Sequence, residues 1–529
     1  MEKFKIVVCD HIHESGLKIL ENEKDIEFIN ASDIDKVELL NVISDAEVVV
    51  TRSSTDIDEK FVNAGKKLKG IIRAGVGVDN VDIDYCSKKG IIVMNVPTAN
   101  TIAAVELTMT HMLSCVRTFP YSHSHLKDER IWKREKWYGT ELKDKKLGII
   151  GFGNIGSRVG IRAKAFDMEV LAYDPYVSST KATDVGVAYT KNFDDILDCD
   201  IITIHTPKNK ETINMIGEAE IAKMRDGVIL INCARGGLYN EEALYNGLKS
   251  KKIRFAGIDV FSKEPATDHK LLDLDNICVT PHLGANTRES QRRIATQAAE
   301  NAISAGKGIS YPNALNMPIK DSELPDGFEP YLELSQKLGF FCATANKGTK
   351  IKSIKILAEG EIASCLESIS TFVTVGALNE VLKENINYVN AQYIAKERDI
   401  NVSTEEIKTH SGYNNKVTVR LATEESVISV SGTVFANDLQ RIVEINGFGL
   451  DIEPKGKMIL FKNSDVPGVI GEVGTTLSKY NINIADFRLG RDSHNQALAV
   501  IIVDDNVTKE VIDELSSLKA ALKVSFIEL

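Results

Sequence analysis

The sequence lacks a surplus of positive charge: its 529 residues hold 64 Lys and Arg against 75 Asp and Glu, a net charge of −11. Phosphate polymers and anionic membranes are held by excess cations, so a general nucleic-acid or membrane-surface binder is excluded as a class. Any anion the chain takes needs a local cationic pocket. Paired cysteines are also missing. Cys9, Cys86, Cys115, Cys199, Cys233, Cys278, Cys342 and Cys365 are scattered without a CxxC, mostly inside apolar runs. They read as buried free thiols of a reducing compartment, and no metal ligands are expected. The start, MEKFKIVVCDHIHE, has no long apolar signal core, and no segment approaches the roughly 20 apolar residues of a membrane span, which points to the cytoplasm. There is no short-period repeat and no low-complexity tract.

What is present is a globular composition, 43% hydrophobic and 26% charged, in a chain too long for one core. About three to five domains are expected. Short Val- and Ile-rich runs alternate with helical spacing as far as Pro281, the pattern of parallel sheets wrapped by helices. KIVVCD (5–10), EVVVTR (47–52), KGIIRAG (69–75) and IIVMNV (91–96) form a first unit. After Pro97, Asn100 can cap a long, almost wholly buried helix, TIAAVELTMTHMLSC, that crosses to a second unit. Its strands are KLGIIG (146–151), MEVLAYD (168–174), IITIHT (201–206), VILINC (228–233), FAGIDV (255–260) and ICVTPH (277–282), a Rossmann-type alternation. NTRESQRRIATQAAENAISAG then returns as a helix to the first unit, and YPNALNMPIKDSELPDG, with Pro312, Pro318 and Pro325, reads as a linker. Beyond it, two helical stretches precede KVTVRLA, SVISVSGTVF and RIVEINGFGLDI as antiparallel strands. From Lys457 the order is βαββαβ, with a helix from Pro467 to Tyr480.

Gly151-Phe-Gly153-Asn154-Ile155-Gly156 follows a strand and opens a helix. There the first glycine allows a tight turn, the second lets backbone approach a pyrophosphate, and the third packs helix on strand. Asp174 ends the next strand, where a carboxylate accepts from ribose hydroxyls. With Pro175 and Tyr176 after it and no Arg or Lys for a 2′-phosphate, NAD is favoured over NADP. Later strand ends carry Arg235 before two glycines, Asp259 followed by Glu264, and His282 followed by Gly284. A guanidinium can grip a carboxylate through two parallel hydrogen bonds, and an imidazole can take a hydroxyl proton as hydride departs.

GFGNIG, LAYDPY, HTP, NCARGG, GIDVFSKEP and PHLGANT, with RAGVGVDNVD and PTANTIAAVELT upstream, together resemble the D-2-hydroxyacid dehydrogenase family, and within it the long members that act on 3-phosphoglycerate. The resemblance covers essentially the whole chain. It implies a catalytic set of Arg235 as carboxylate clamp, His282 as proton carrier and Glu264 as its orienting partner. It places Val76, Thr206, Cys233, Ala234 and Asp259 around NAD, with Cys233 acting through its backbone. It makes Arg52 a phosphate ligand with Ser53, Gly77 and Asn100 nearby, and lets Arg134 reach a neighbouring subunit's site in a homodimer or homotetramer.

The C-terminal unit is similar to ACT domains, which pair edge to edge and bind amino acids. Asn463, Asp465 and Asn483 are its expected effector contacts, with serine as end-product inhibitor. The fold expected is α/β, with two doubly wound parallel-sheet domains (flavodoxin-like substrate domain, Rossmann NAD domain), an α+β middle domain and a ferredoxin-like βαββαβ domain. The expected boundaries are 1–98 plus 290–312, 99–289, 313–453 and 454–529. The resemblance implies NAD-dependent oxidation of 3-phosphoglycerate. Other 2-hydroxyacid chemistry, such as 2-oxoglutarate reduction, or a dinucleotide-sensing interaction protein on the same scaffold, remain the alternatives.

Overall fold

The computed structural model describes residues 3–318, 324–325, 327–346, 349–382, 386–408, 411–436 and 438–529. Continuous apolar runs near the N-terminus form a parallel sheet of β1 (Phe4–Val8), β2 (Ile26–Asn30), β3 (Val48–Thr51), β4 (Gly70–Arg73) and β5 (Ile92–Met94), in the order β2-β1-β3-β4-β5. Val48, Val49 and Val50 are fully buried because both faces are covered. Leu39, Ile43, Phe61 and Cys86 cover one face, and Ile294, Ala298 and Ala302 of the returning helix Arg288–Gly306 cover the other. The short edge strand β2 was not expected from the sequence.

The second sheet has seven parallel strands: β6 (Lys146–Ile150), β7 (Glu169–Tyr173), β8 (Ala188–Thr190), β9 (Ile201–Ile204), β10 (Val228–Asn232), β11 (Ile253–Ile258) and β12 (Ile277–Val279), in the order β12-β11-β10-β9-β6-β7-β8. The winding reverses between β6 and β9, so loops leave in opposite directions there and open a crevice at the strands' C-terminal ends. The crossing helix Thr101–Arg117 buries Val105, Met109, Met112 and Cys115 against this sheet. Asn100 stands at its N-cap position but makes no capping bond with its side chain. The two crossings touch: Ser290 Oγ and Arg293 Nε both donate to the Ala99 carbonyl, at 3.2 and 3.0 Å.

Of the proline-containing linker, residues 319–323 and 326 lie outside the described residues. The middle sheet is mixed: the strands expected to be antiparallel, β15 (Lys416–Thr423), β16 (Val427–Phe435), β17 (Leu439–Ile445) and β18 (Phe448–Ile452), pair so, and β13 (Ile351–Glu359) joins β15 antiparallel but pairs in parallel with β14 (Asn401–Ile407), two strands not expected from the sequence. Helices Glu329–Ala345 and Leu366–Leu382 pack on it. The stretch Glu361–Leu382 is longer and more apolar than the sequence reading allowed, but 67% of its most apolar 18 residues are buried inside the protein, as in a core helix.

The C-terminal antiparallel sheet has β19 (Lys457–Ser464), β20 (Ile484–Arg491), β21 (Gln496–Val503) and β22 (Ala521–Glu528), in the order β20-β21-β19-β22. Helices Val469–Lys479 and Lys509–Ser516 complete βαββαβ and cover one face. The first begins at Val469 and not Pro467, because Gly468 takes a left-handed φ of +99° at its N-cap. Met458, Leu460, Leu498, Val500 and Ile527, on the other face, belong to the middle domain's core.

Candidate active site

The glycine loop has the geometry its sequence requires. Gly151 has φ +87°, and a Cβ there would lie 2.8 Å from the His205 carbonyl; one on Gly156 would lie 2.1 Å from Gly151 O. A Cβ on Gly153 would meet nothing within 4 Å, so the open space over this loop is where a pyrophosphate fits, at the start of helix Asn154–Lys164 with Asn154 and Ile155 in its first turn. Asp174 is held at the mouth: Oδ2 accepts from Phe152 N at 2.8 Å and Oδ1 from Tyr176 N at 2.9 Å. Thr206 Oγ1 is buried with no partner among the described residues, an orphan that a bound dinucleotide can satisfy. These residues fit NAD.

Successive strand ends bring the chemistry together. After β11, Asp259 is fully buried; it accepts from Thr280 Oγ1 at 2.5 Å, Leu283 N at 2.7 Å and Gly284 N at 2.9 Å. Its carbonyl accepts from His282 N at 2.8 Å, and this network over-determines a turn in which His282 has a left-handed φ of +54°. His282 Nδ1 lies 2.8 Å from Glu264 Oε2, while Glu264 Oε1 accepts from Phe261 N at 3.0 Å. Burial works to raise the Glu264 carboxyl, but the bonds from His282 and Phe261 outweigh it and hold it below the usual range. With Nδ1 engaged, Nε2 is the ring nitrogen left for chemistry. Glu264 and His282 line a 520 Å³ cavity with Ser53, Phe261 and Thr280.

After β10, Asn232 braces the turn. Its Oδ1 accepts from Ala234 N at 3.0 Å and its Nδ2 donates to Arg235 O at 2.8 Å. The Arg235 guanidinium spans the cleft: Nε donates to Asp79 Oδ2 at 3.2 Å, and Nη2 lies against Gly77, where a Cβ would sit 2.2 Å away. Cys233 is buried beside it, and burial, then the Asp259 charge, pushes its thiol pKa up, so a thiolate role is disfavoured. Val76, next to Gly77, is fixed through its carbonyl by Asn95 Nδ2 at 2.8 Å.

A second cationic subsite faces Arg235. Arg52 directly follows β3; its backbone N–H donates to Asp10 and its Nη1 to His11 O at 3.2 Å. Arg73, at the neighbouring end of β4, was not singled out in the sequence. Burial, then the charges of Arg235 and Arg52, pushes its pKa down to about 10. Arg73 Nε, Thr51 Oγ1 and Asn100 Oδ1 are all buried without a partner among the described residues. The charges of Arg52 and Arg235 both act on Arg73, and of the three unpartnered atoms Arg73 Nε and Thr51 Oγ1 can donate a hydrogen bond, whereas Asn100 Oδ1 only accepts.

Arg134 is not brought here. It lies exposed in the turn Arg134–Lys136, with no described contact to the cleft. In the C-terminal domain, Asn463 and Asp465 line a 430 Å³ cavity with Pro467, Gly468, Phe487 and Arg491. Asn463 Oδ1 is buried and unpartnered there, and Arg491 Nε lies 3.2 Å from Asp465. Asn483 is elsewhere, at the start of β20, where its Nδ2 donates to Asp504 at 2.6 Å.

Comparison with known proteins agrees with this geometry. Residues 109–284 match the family described as D-isomer specific 2-hydroxyacid dehydrogenase, NAD binding domain; 327–446 match the D-3-phosphoglycerate dehydrogenase intervening domain; 457–520 match the ACT domain. A D-3-phosphoglycerate dehydrogenase of Archaeoglobus fulgidus is 36% identical over 534 residues, covering 99% of this chain and 100% of that protein. Its namesake from Methanocaldococcus jannaschii is 38% identical over 528 residues, with 99% and 100% covered. Among solved structures, a D-lactate dehydrogenase of Aquifex aeolicus complexed with NAD and lactic acid is 32% identical with a TM-score of 0.52, over 58% of this chain and 96% of that one.

Proposed function

The chain belongs to the D-3-phosphoglycerate dehydrogenase family, and from that membership we propose that it oxidises 3-phospho-D-glycerate to 3-phosphooxypyruvate with NAD, the first step of a phosphorylated route to L-serine. Nicotinamide, when bound, supplies the hydride acceptor. Arg235 grips the substrate carboxylate and fixes the hydroxyl-bearing carbon. His282 Nε2 takes the hydroxyl proton, while Glu264, bonded to Nδ1, orients the ring and balances the imidazolium charge. The observation that carries this reading is that Arg235 acts by charge both on Arg73, which Arg52 also faces, and on Glu264, the hydrogen-bond partner of His282. A phosphate between Arg52 and Arg73 relieves their mutual repulsion, with Ser53, Gly77 and Asn100 as neutral neighbours. Arg134, exposed and without a described contact to the cleft in its own chain, would contribute from a second copy.

Initial rates on a panel of 2-hydroxyacids test the assignment. Arg52→Ala and Arg73→Ala should each raise KM for 3-phosphoglycerate about tenfold or more and change an unphosphorylated acid within about twofold. Equal loss on both kinds of acid would remove the phosphate subsite. NAD binding without turnover would instead favour a dinucleotide-sensing role.

The C-terminal cavity supports an amino-acid effector, and serine, the end product, is the one we propose. Asn463 and Asp465 meet it from one chain. Asn483 lies at the opposite end of β20 from Arg491, so antiparallel pairing of this edge strand with a second copy would bring the partner copy's equivalent of Asn483 to the cavity. Serine should then lower initial rates in the wild type and act more weakly on Asn483→Ala, with a coupling of about 1 to 3 kcal/mol. A wild type indifferent to serine would leave this domain without that role.

A further inference from the structure

The loop Gly77–Asn80 supports both anion-binding arginines. Asp79 Oδ2 accepts from Arg235 Nε at 3.2 Å across the cleft, and Asn80 Nδ2 donates to the carbonyls of Arg52 and Thr55 at 2.7 and 2.6 Å. The loop runs into helix Ile83–Lys88, whose N-cap Asp82 accepts from Tyr85 N. Six residues make a rod about 9 Å long. Beyond it the chain turns at Gly90, φ +73°.

At that turn the middle domain is docked. Asn387 Nδ2 donates to Gly90 O at 2.8 Å, and a Cβ on Gly90 would lie only 2.8 Å from Asn387 Nδ2 and 2.7 Å from Asn390 Nδ2. Between these asparagines, Val389 is buried in the core of the N-terminal sheet with Ile92, Met94 and Ala302. The docking turn is internally braced: Asn387 Oδ1 accepts from Val389 N and Asn390 N at 2.9 and 3.2 Å, and Asn390 Oδ1 accepts from Asn387 N at 2.8 Å. Asn316 secures the same end of the helix, donating to Ser87 Oγ and Ile91 O, both at 2.9 Å. One short helix is thus held by the cleft loop at its front and by the middle domain at its back.

We infer that Asn387 is a remote positioning residue for substrate binding: through Gly90 and helix Ile83–Lys88 it sets the loop that orients Arg235 and Arg52. The middle domain thereby governs affinity for the anionic substrate and not for NAD, whose glycine loop hangs on β6 in the other sheet. The kinetic readout rests on the proposed reaction, so the test has a second arm that needs no substrate.

In the full-length protein, Asn387→Ala should raise KM for 3-phosphoglycerate about fivefold, as loss of one hydrogen bond predicts, and leave KM for NAD and kcat within about 1.5-fold. Asn387→Asp keeps the acceptor that braces the turn and sets a carboxylate oxygen against the Gly90 carbonyl in place of the donor, so it should raise KM for 3-phosphoglycerate at least as far even if the alanine variant folds poorly. Combined with Asp79→Asn, the effects should fall short of additive if both act through one loop. In the second arm, backbone amides of residues 78–82 should exchange hydrogen faster in either variant, with residues 146–160 unchanged. Unchanged KM with unchanged exchange would overturn the inference, as would an equal rise in both KM values. Faster exchange at 78–82 in a protein without phosphoglycerate turnover would uphold the coupling and refute only the reaction.

Discussion

Arg73 carries its charge against burial and against two like neighbours, and an anion relieves all three at once. The sequence could have shown it. A cation at the C-terminal end of a buried strand, as Arg235 is, stands equally in KGIIRAG, whose arginine closes β4 opposite Thr51, the last residue of β3. KGIIRAG reads as a strand and RAGVGVDNVD as a shared motif, and neither reading by itself gives Arg73 a role. Asp79 and Asn80 lay in a quoted stretch, but nothing in a sequence says that Asp79 faces a guanidinium 156 residues away. A buried histidine shows a different cost. His111 Nε2 lies 2.8 Å from Thr280 Oγ1, whose proton goes to Asp259, so the ring donates from Nε2, and Nδ1 is left buried without a partner among the described residues. Burial pushes its pKa down to about 4. A folded value below the unfolded one means the unfolded chain binds the proton better. Stability is therefore full above about pH 6.5 and falls as pH drops from there towards 4, by about 3 kcal/mol in order of magnitude. Denaturant titrations between pH 4.5 and 7.5, in steps of about half a unit, should show this limb, and His111→Gln should flatten it in part. The slope persists partly because burial pushes His205 down to about 3 in the same direction. An unaltered slope in His111→Gln would show that the ring is already hydrated or charged.

At the scale of elements, the glycine loop separates folding from binding within six residues. A Cβ on Gly156 would collide with the Gly151 carbonyl, a backbone atom that cannot turn aside, whereas one on Gly153 would enter open space. Gly156→Ala should cost about 1 to 3 kcal/mol of stability in thermal melts. Gly153→Ala should melt like the wild type and bind NAD about tenfold or more weakly by titration, because its methyl occupies the pyrophosphate's place. A Gly153→Ala protein with normal NAD affinity would put the phosphates elsewhere. The strands flanking this loop were legible because burial on both faces leaves an uninterrupted apolar run, as in VILIN of β10. Of the strands that escaped, β13 ends in a buried run, Ile356 to Glu359, whereas β2, β8 and β14 had none. β2 alternates exposure at a sheet edge, β8 has three residues, and β14, with glutamates at 405 and 406, is mostly exposed. For β14 and β13, parallel pairing is a long-range fact that local pattern does not encode.

At the scale of the whole molecule, the C-terminal unit reads in sequence as a separate bead after Lys457, yet one face of its sheet is not its own. Met458, Leu460, Leu498, Val500 and Ile527 complete the middle domain's core, and Lys523 Nζ reaches Asn346 Oδ1 at 3.3 Å. Exposing such side chains costs about 1.5 to 3 kcal/mol each, so five together rival the 5 to 15 kcal/mol that holds an average domain folded. Neither unit can then unfold while the other stays native. Calorimetry of the full chain should show the middle and C-terminal units melting in one transition, and a chain ending at residue 453 should lose that transition or shift it down by ten degrees or so. A distinct C-terminal melt, or a truncated chain of unchanged stability, would contradict the shared core. The same continuity would give an effector, were one bound beside Asn463 as proposed, a physical path to the cleft. Strain at the C-terminal sheet enters the core that also holds helix Leu366–Leu382, and the chain beyond that helix carries the Asn387 turn to Gly90. Regulation of this kind needs no new contact in the cleft, only a packed core too stiff to absorb the displacement.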